Sequence, residues 1–393
     1  MTETNCSYNL SIHWIRHGES CSNFLTGKIK DKPSQNIKER SLFEKLKGSI
    51  LNEALLEPPL SLTGILQSLK LANRLEKLFD KGLKANQHIF ITSPSSRSIM
   101  TALLALHKFP NVTLFVVPYI SEKRTIGSFV GLDVSNKPVE PTILRMKVDL
   151  IIKWLNNNGI FKLIQQIVND VIREQNISYK TVDSLNIMTS LNDIRIISLI
   201  KNKLGEENYN LINEYYKLKN VNTNIIPNID FTYYTKTYNK PNLNKFYEVM
   251  YSISEKKFKC NNINLYRIIA FSHSHFIQDI YKQLFPNNKS IKTIKNTERL
   301  ITKLNLKKEN LQINHTWYNI QREKEYETSI DLDLLIRNKL SNEPIKLNYL
   351  NKGDEQICDI NKGLAAIVNK PNNYEAIKQI SNYDDIQSLL LTN

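Results

Sequence analysis

The 393-residue chain has no run of apolar residues approaching the roughly 20 that a membrane-spanning helix needs. No membrane contact is expected from it. Its first residues, Met1-Thr2-Glu3-Thr4-Asn5, carry an acid and no apolar stretch, so they do not read as a secretory signal. Cysteine is sparse. Cys6, Cys21, Cys260 and Cys358 are scattered and match no metal-ligand spacing. Sparse cysteine excludes a small disulfide-dense scaffold, and the scatter predicts free thiols in a reducing, cytoplasmic setting. Cys21 reads as a small filler residue in a loop. Internal repeats and long flexible linkers are absent from the sequence. So are basic–aromatic recognition modules and zinc-finger spacings, which disfavours nucleic acid as a partner.

What the chain does have is length and positive charge. Its size allows a large core and two or three domains. The net charge of +15 comes mostly from lysine. Such a surface attracts anions and speeds their encounter with a site, although most of it reads as a solvated lysine-rich face.

Short apolar runs alternate with helical periodicity. Strands are expected at about Ser11–Ile15, His88–Thr92, Leu114–Val117 and Leu265–Phe271. Helices are expected at about Leu62–Phe79, Ile99–His107 and Leu243–Lys257. Residues 28–57 read as an insertion that begins polar and becomes helical, stopped by Pro58-Pro59. The segment 141–240 is mainly helical in pattern, with an irregular, tyrosine-rich end from Ile225 to Pro241. Two charged helical stretches are expected in a C-terminal extension, 321–393. The chain therefore divides into a first core part (1–140), a helical insertion or cap (141–240), a second core part (241–320) and the extension.

Chemistry-bearing residues cluster where strands end. Arg16-His17-Gly18-Glu19-Ser20, with Asn23 beyond it, follows the first strand. A nucleophilic imidazole there lies beside a guanidinium able to grip phosphate, and glycine permits close backbone approach. Leu60-Ser61-Leu62-Thr63-Gly64-Ile65-Leu66-Gln67 opens a helix. Ser93-Pro94-Ser95-Ser96-Arg97 leads to Thr101-Ala102. Glu122 follows a third apolar run, and Ser272-His273-Ser274-His275 follows a fourth. In open α/β sheets that edge is where ligands bind.

Taken in order, these pieces resemble the histidine phosphatase superfamily on its phosphoglycerate-mutase-like branch. The resemblance covers about Asn9–Gly131 and Leu243–Trp317. It implies a three-layer α/β/α sandwich with a mostly parallel sheet, and a small anionic phosphorylated substrate. It also implies roles. His17 would attack phosphorus and carry the phosphoryl group. Arg16 and Arg97 would fork the phosphate oxygens. His273 would donate a hydrogen bond to the same oxygens. Glu122 would act as general acid and then help to activate water. Asn23 would bind phosphate or orient His17, and Thr26-Gly27 is similar to a substrate-contacting Thr-Gly pair, at shorter spacing. Ser274 counts among the substrate-binding residues. His275 is expected to be structural. No carboxylate or cysteine at ligand spacing accompanies the two histidines, so neither metal nor cofactor is expected.

Three departures bear on the reaction. Ser22 stands where the mutases usually have Trp, and Ser274 where Gly is usual. No arginine pair with a proline-rich segment follows Glu122; Lys123 and Arg124 do not reproduce it. A mutase must hold the second anionic end of its substrate, whereas a phosphatase needs only water. Phosphomonoester hydrolysis is therefore the favoured reading. Mutase-type transfer and a non-catalytic phosphate-binding scaffold are the alternatives.

Overall fold

The computed structural model describes residues 6–21, 23, 60–79, 87–109, 111–122, 141–156, 197–198, 201–202, 205–221, 227–234, 241–260, 262–284, 294–309 and 312–322. The expected insertion at 28–57, the pair Thr26-Gly27 and the C-terminal extension beyond Arg322 lie outside them.

Seven strands form one sheet in the order β4-β3-β2-β5-β1-β6-β7. They are β1 (Ser7–Arg16), β2 (His88–Thr92), β3 (Thr113–Val116), β4 (Asn228–Asp230), β5 (Asn262–Ser272), β6 (Arg299–Glu309) and β7 (Gln312–Arg322). The pairs β4–β3, β3–β2, β2–β5 and β5–β1 are parallel. β6 pairs antiparallel with both β1 and β7. The fold class is α/β, with a mostly parallel sheet and an antiparallel hairpin at one edge. Because β5 lies between β1 and β2, the chain order reverses at β1–β5, and open α/β sheets bind ligands at the strand ends of such a point.

The helices among the described residues are α1 (Leu62–Phe79), α2 (Ser96–Ala105), α3 (Pro141–Asn156), α4 (Glu206–Val221), α5 (Leu243–Lys257) and α6 (Ser274–Leu284). Alternation along the strands assigns them to two faces. Trp14 of β1 is fully buried and packs its ring 5.2 Å from Phe246 of α5 and 5.6 Å from Phe276 of α6. Ile89 and Ile91 of β2 join that cluster. His88 and Phe90 point the other way, each against Phe79 of α1 at 4.6 and 5.8 Å. Both faces of β1 and β2 are thus covered. This is why they read as near-continuous apolar runs rather than alternating ones.

The helical segment after residue 140 builds on the α1–α2 face. α3 packs on α2 and α4 on α1. Lys108, beyond the end of α2, lies between Glu76 of α1, 2.8 Å away, and Glu214 of α4. Lys70 of α1 pairs with Glu207 of α4. The stretch read as irregular, Ile225–Pro241, contributes β4 to the edge of the sheet. Three residues are too few to show an alternating pattern. The β6–β7 hairpin also went unforeseen. Yet β6 alternates, with Leu300, Thr302, Leu304 and Leu306 buried between the less buried Lys303, Asn305 and Lys307, the pattern of a strand with one face on the core.

The expectation of free thiols fails. Cys6 and Cys260 form a disulfide across a sequence separation of 254. Parallel pairing of β1 with β5 brings the start of each strand together, with Tyr8 opposite Asn262. Cys21 is likewise disulfide-bonded, and no cysteine among the described residues is free. Linear scatter says nothing about spatial pairing, so the inference to a reducing compartment loses its basis.

Candidate active site

The β1–β5 pair sets the centre of the site. Its register ends with Arg16 opposite Ser272, and one further bond runs from the His17 amide to the Ser272 carbonyl at 3.0 Å. The next residues on the two chains, His17 and His273, therefore emerge side by side, with ring centroids 5.2 Å apart.

The His17 ring has a defined tautomer. Its Nδ1 donates to the Gly18 carbonyl at 2.6 Å, and its Nε2 accepts from Arg97 Nε at 3.2 Å. Arg97 has only donors to offer, so Nε2 carries the lone pair. Burial, chiefly, and the charge of Arg97 push the His17 pKa well below that of a free imidazole. The ring is neutral at neutral pH, with its Nε2 lone pair turned toward Arg97.

The loop that carries His17 is clamped from below by the helix motifs. Thr101 Oγ1 accepts from the Gly18 amide at 2.9 Å and donates to the Arg97 carbonyl at 2.7 Å. One hydroxyl thus ties the nucleophile loop to the arginine helix α2. The Ser61–Gly64–Gln67 motif grips Glu19. Ser61 Oγ donates to Glu19 Oε1 at 2.8 Å, Gln67 Oε1 accepts from the Glu19 amide at 2.8 Å, and the Ser61 amide donates to the Glu19 carbonyl at 3.0 Å. A Cβ on Gly64 would lie 1.9 Å from the Glu19 carbonyl oxygen, and one on Gly18 would lie 2.6 Å from the Gly64 oxygen. Only glycine allows this approach.

Arg97 leaves the capped first turn of α2, where Ser95 Oγ accepts from the Ser98 amide at 3.2 Å. Its Nη2 donates to Glu122 Oε2 at 2.6 Å and to His273 Nδ1 at 3.2 Å. His273 Nδ1 is therefore an acceptor, and its Nε2–H meets Ser93 Oγ at 2.8 Å. Burial, above all, and the charge of Arg97 lower the His273 pKa to about 3, so this ring too is neutral. A hydroxyl both donates and accepts, so Ser93 satisfies either tautomer of His273. With Nδ1 protonated instead, the ring presents a donor to an incoming anion.

Arg16 is held by a turn the sequence reading did not single out. Its Nη1 donates to the Ile294 carbonyl at 2.7 Å. Its backbone carbonyl accepts from the Thr297 amide at 3.0 Å, and its amide donates to Glu298 at 3.2 Å. Thr297 has φ of 56°, the left-handed region that a β-branched residue rarely adopts. Burial lowers the Arg16 pKa to about 10, which leaves it cationic at neutral pH. Two guanidinium nitrogens, Arg16 Nε and Arg97 Nη1, are buried and have no hydrogen-bond partner among the described residues.

Glu122 differs from expectation. Burial alone would raise its pKa. The hydrogen bond from His275 and the charge of Arg97 outweigh that and bring it far below the usual carboxylate range. In this arrangement it is a carboxylate that grips Arg97, not an acid holding a proton. His275 was expected to be structural; instead its Nδ1 lies 2.9 Å from Glu122 Oε1, with 54% of its side chain exposed. An alternating pattern cannot reveal this, because α6 begins at Ser274 and its first turn redirects the side chain. Ser274 Oγ reaches the Ile294 carbonyl at 3.4 Å, beside the Arg16 contact. Asn23 hydrogen-bonds to Ser20, accepting at Oδ1 from the Ser20 hydroxyl at 3.0 Å. Among the described residues no group of three or more His, Cys, Asp or Glu is placed to hold a metal ion.

No protein-family model matches the chain. An uncharacterised protein of Acanthamoeba polyphaga mimivirus is 27% identical over 256 residues, a span covering 60% of this chain and 39% of that protein. Among solved structures, mycobacterial hydrolase 1 matches 79% of this chain and 97% of its own at TM-score 0.32 and 10% identity. A phosphoglycerate mutase from Bacillus anthracis str. Sterne matches 88% and 97% at TM-score 0.30 and 10% identity. A phytase from Klebsiella sp. ASR1 matches 80% and 90% at TM-score 0.24 and 10% identity. Scores this low decide nothing about chemistry, and the reading of the site rests on its own residues.

Proposed function

We propose that the chain is a phosphomonoester hydrolase that forms a phosphohistidine on His17 and acts on a small phosphorylated metabolite. The observation that carries this reading is a neutral, tautomer-fixed Nε2 in contact with a guanidinium, with two buried guanidinium N–H groups nearby unpartnered. Buried donors without acceptors are costly, each by about 1–3 kcal/mol. A phosphoryl group that accepts from Arg16 Nε and Arg97 Nη1 removes that cost while facing the His17 lone pair.

The chemistry follows from those positions. The His17 Nε2 lone pair forms a bond to phosphorus as the ester P–O bond breaks. Negative charge that develops on the phosphoryl oxygens meets Arg16, Arg97 and His273, which are already oriented, so little reorganisation is needed. The leaving oxygen takes a proton from the Glu122 carboxyl. Water then attacks the phosphohistidine, Glu122 takes the water proton, and His17 leaves as neutral imidazole with phosphate as product. No step requires a metal or a second anion-binding cluster. Hydrolysis is favoured over mutase transfer by the departures at Ser22, Ser274 and after Glu122.

The test is release of phosphate from p-nitrophenyl phosphate by the wild-type chain and by His17→Ala. Release that vanishes in the variant, with an acid-labile phosphoprotein trapped only in the wild type, is the expected result. Equal release from both would remove the nucleophile assignment. No release from either would favour the scaffold reading, or a mutase if 3-phosphoglycerate with its bisphosphate primer reacts.

A further inference from the structure

The general acid of the proposed reaction lies in a position that takes away its proton. Glu122 is only 14% exposed and accepts from Arg97 at 2.6 Å and from His275 at 2.9 Å. Its Oε2 also lies 3.6 Å from His273 Nδ1. A carboxylate so surrounded needs a donor before it can protonate anything. His273 cannot serve, because it is wholly buried, has no path to solvent and is neutral, with no spare proton to give. Arg97 does not release protons. His275 remains. It sits in the first turn of α6, joins Glu122 through Nδ1, and has more than half its side chain in water.

We propose that His275 is the proton relay between solvent and Glu122, a positioning residue that recharges the acid of this site. The proposal rests on the phosphatase reading above. The balance is simple. Protonated His275 passes its Nδ1 proton to the Glu122 carboxylate, and that carboxyl passes a proton to the leaving ester oxygen as the P–O bond breaks. His275 is left neutral. When water attacks the phosphohistidine, the water proton returns through Glu122 to His275, or His275 regains one from solvent at its exposed side. No oxidant, reductant or metal is involved.

The groups facing His275 bear on its titration. The hydrogen bond to Glu122 raises its pKa most; burial lowers it, Arg16 across the site lowers it, and Asp279 one turn along α6 raises it. The net direction is upward from the ordinary imidazole value, so His275 is charged over more of the neutral range than a free histidine. Arg97, bonded to the other carboxylate oxygen of Glu122, completes the charged surroundings, and His273 beside it is neutral.

The experiment compares wild type, His275→Gln and His275→Lys on an aryl phosphate and an alkyl phosphate from pH 5 to 9. Glutamine keeps a hydrogen-bond donor and roughly the size but cannot carry a proton. The wild-type rate on the alkyl phosphate should fall on the alkaline side as His275 loses its proton. His275→Gln should lose that alkaline limb, and its alkyl rate should fall about 10–100-fold more than its aryl rate. The ring C–H resonances of His275 should report a pKa above the ordinary value in wild type that drops in Glu122→Gln. Alkyl and aryl rates that fall equally in His275→Gln, with the alkaline limb intact, would overturn the relay and leave the phosphatase reading standing. A wild-type chain that hydrolyses neither ester and forms no phosphohistidine would overturn both. His275→Lys, which restores a titratable donor, should recover part of the alkyl rate; no recovery together with a normal fold by circular dichroism counts against the relay.

Discussion

Gly64→Ala sets two well-defined effects against each other. Gly64 is the third residue of α1, and glycine in a helix is about 1 kcal/mol worse than alanine. Propensity alone therefore predicts a more stable protein. The packing predicts the opposite. The new Cβ would stand 1.9 Å from the Glu19 carbonyl oxygen, 2.8 Å from its carbon and 2.9 Å from its nitrogen. Ordinary contact begins near 3.4 Å, so the loop must retreat by 3.4 − 1.9 = 1.5 Å. All three atoms are backbone, which cannot swing aside as a side chain can. A retreat of that size breaks the three bonds holding Glu19, from Ser61 N, Ser61 Oγ and Gln67 Oε1. At about 1 kcal/mol each they outweigh the propensity gain, and a net loss of about 2 kcal/mol follows. Activity should suffer more than stability. Glu19 follows Gly18, whose carbonyl fixes the His17 tautomer. A displacement near 1 Å at such a point costs on the order of 10²-fold in rate. Urea unfolding and phosphate release from p-nitrophenyl phosphate measure the two quantities. A variant with an unchanged or higher midpoint and undiminished turnover would show that the Glu19 clasp neither holds the loop nor positions the nucleophile.

Other expectations follow from single contacts. Glu122→Gln removes the proton carrier while keeping a partner for Arg97, and should reduce turnover of alkyl phosphates by about 10²–10⁴-fold, with a much smaller loss on aryl phosphates; equal losses would deny the acid role. Burial lowers the pKa of His13, His17 and His273 in the folded chain. The unfolded chain therefore binds more protons below about 6.5, and stability present above that pH is lost as pH falls, by up to about 1.4 kcal/mol per pH unit for each ring. For His273 the loss continues to about pH 3. Melting midpoints recorded from pH 7.5 to 4.5 should decline steadily, and a flat profile would contradict the burial of these rings. Reduction of the Cys6–Cys260 bond should lower the midpoint by the equivalent of about 2–5 kcal/mol. A midpoint indifferent to reductant would mean the bridge constrains little.

The parts of the molecule legible in the sequence are those where one cause dominates. β2 and α5 match their expected bounds, His88–Thr92 and Leu243–Lys257, because burial of a strand on both faces and of one helix face leaves clear local marks. α1 does so as well, since Leu66, Leu69, Leu71 and Leu75 give it a broad buried face. Arg16, His17, Arg97, Glu122 and His273 converge because each follows a strand of one sheet, and strand order brings those ends together. What could not be read depends on distance. The Cys6–Cys260 bridge and the Ile294–Glu298 turn that seats Arg16 join segments more than 250 residues apart in sequence. The role of Gly64 was invisible for the same reason. Its motif was visible, but the neighbour that demands a missing Cβ was not. The contact of His275 with Glu122 could not be read either, because its exposure and its partner are set by where α6 begins.

The charge state of Glu122 is set by its neighbours and responds to an anion bound beside them. The hydrogen bond from His275 and the charge of Arg97 stabilise the carboxylate. A phosphate monoester adds up to two negative charges and competes for the same Arg97 hydrogens. At about 5 Å and an effective dielectric near 20, each unit charge opposes the ionised carboxylate by about 3 kcal/mol, or more than two pH units. A bound phosphate would thus raise the proton affinity of the hydrogen-bonded Glu122–His275 pair. This predicts proton uptake on binding. Isothermal titration with inorganic phosphate at pH 8, in buffers of different ionisation enthalpy, should give a larger uptake for wild type than for Glu122→Gln. The variant cancels the contribution of phosphate itself, so the difference belongs to the Glu122–His275 pair. Equal uptake in the two proteins would mean that the bound anion does not reach Glu122 electrostatically, and the acid would have to be sought elsewhere.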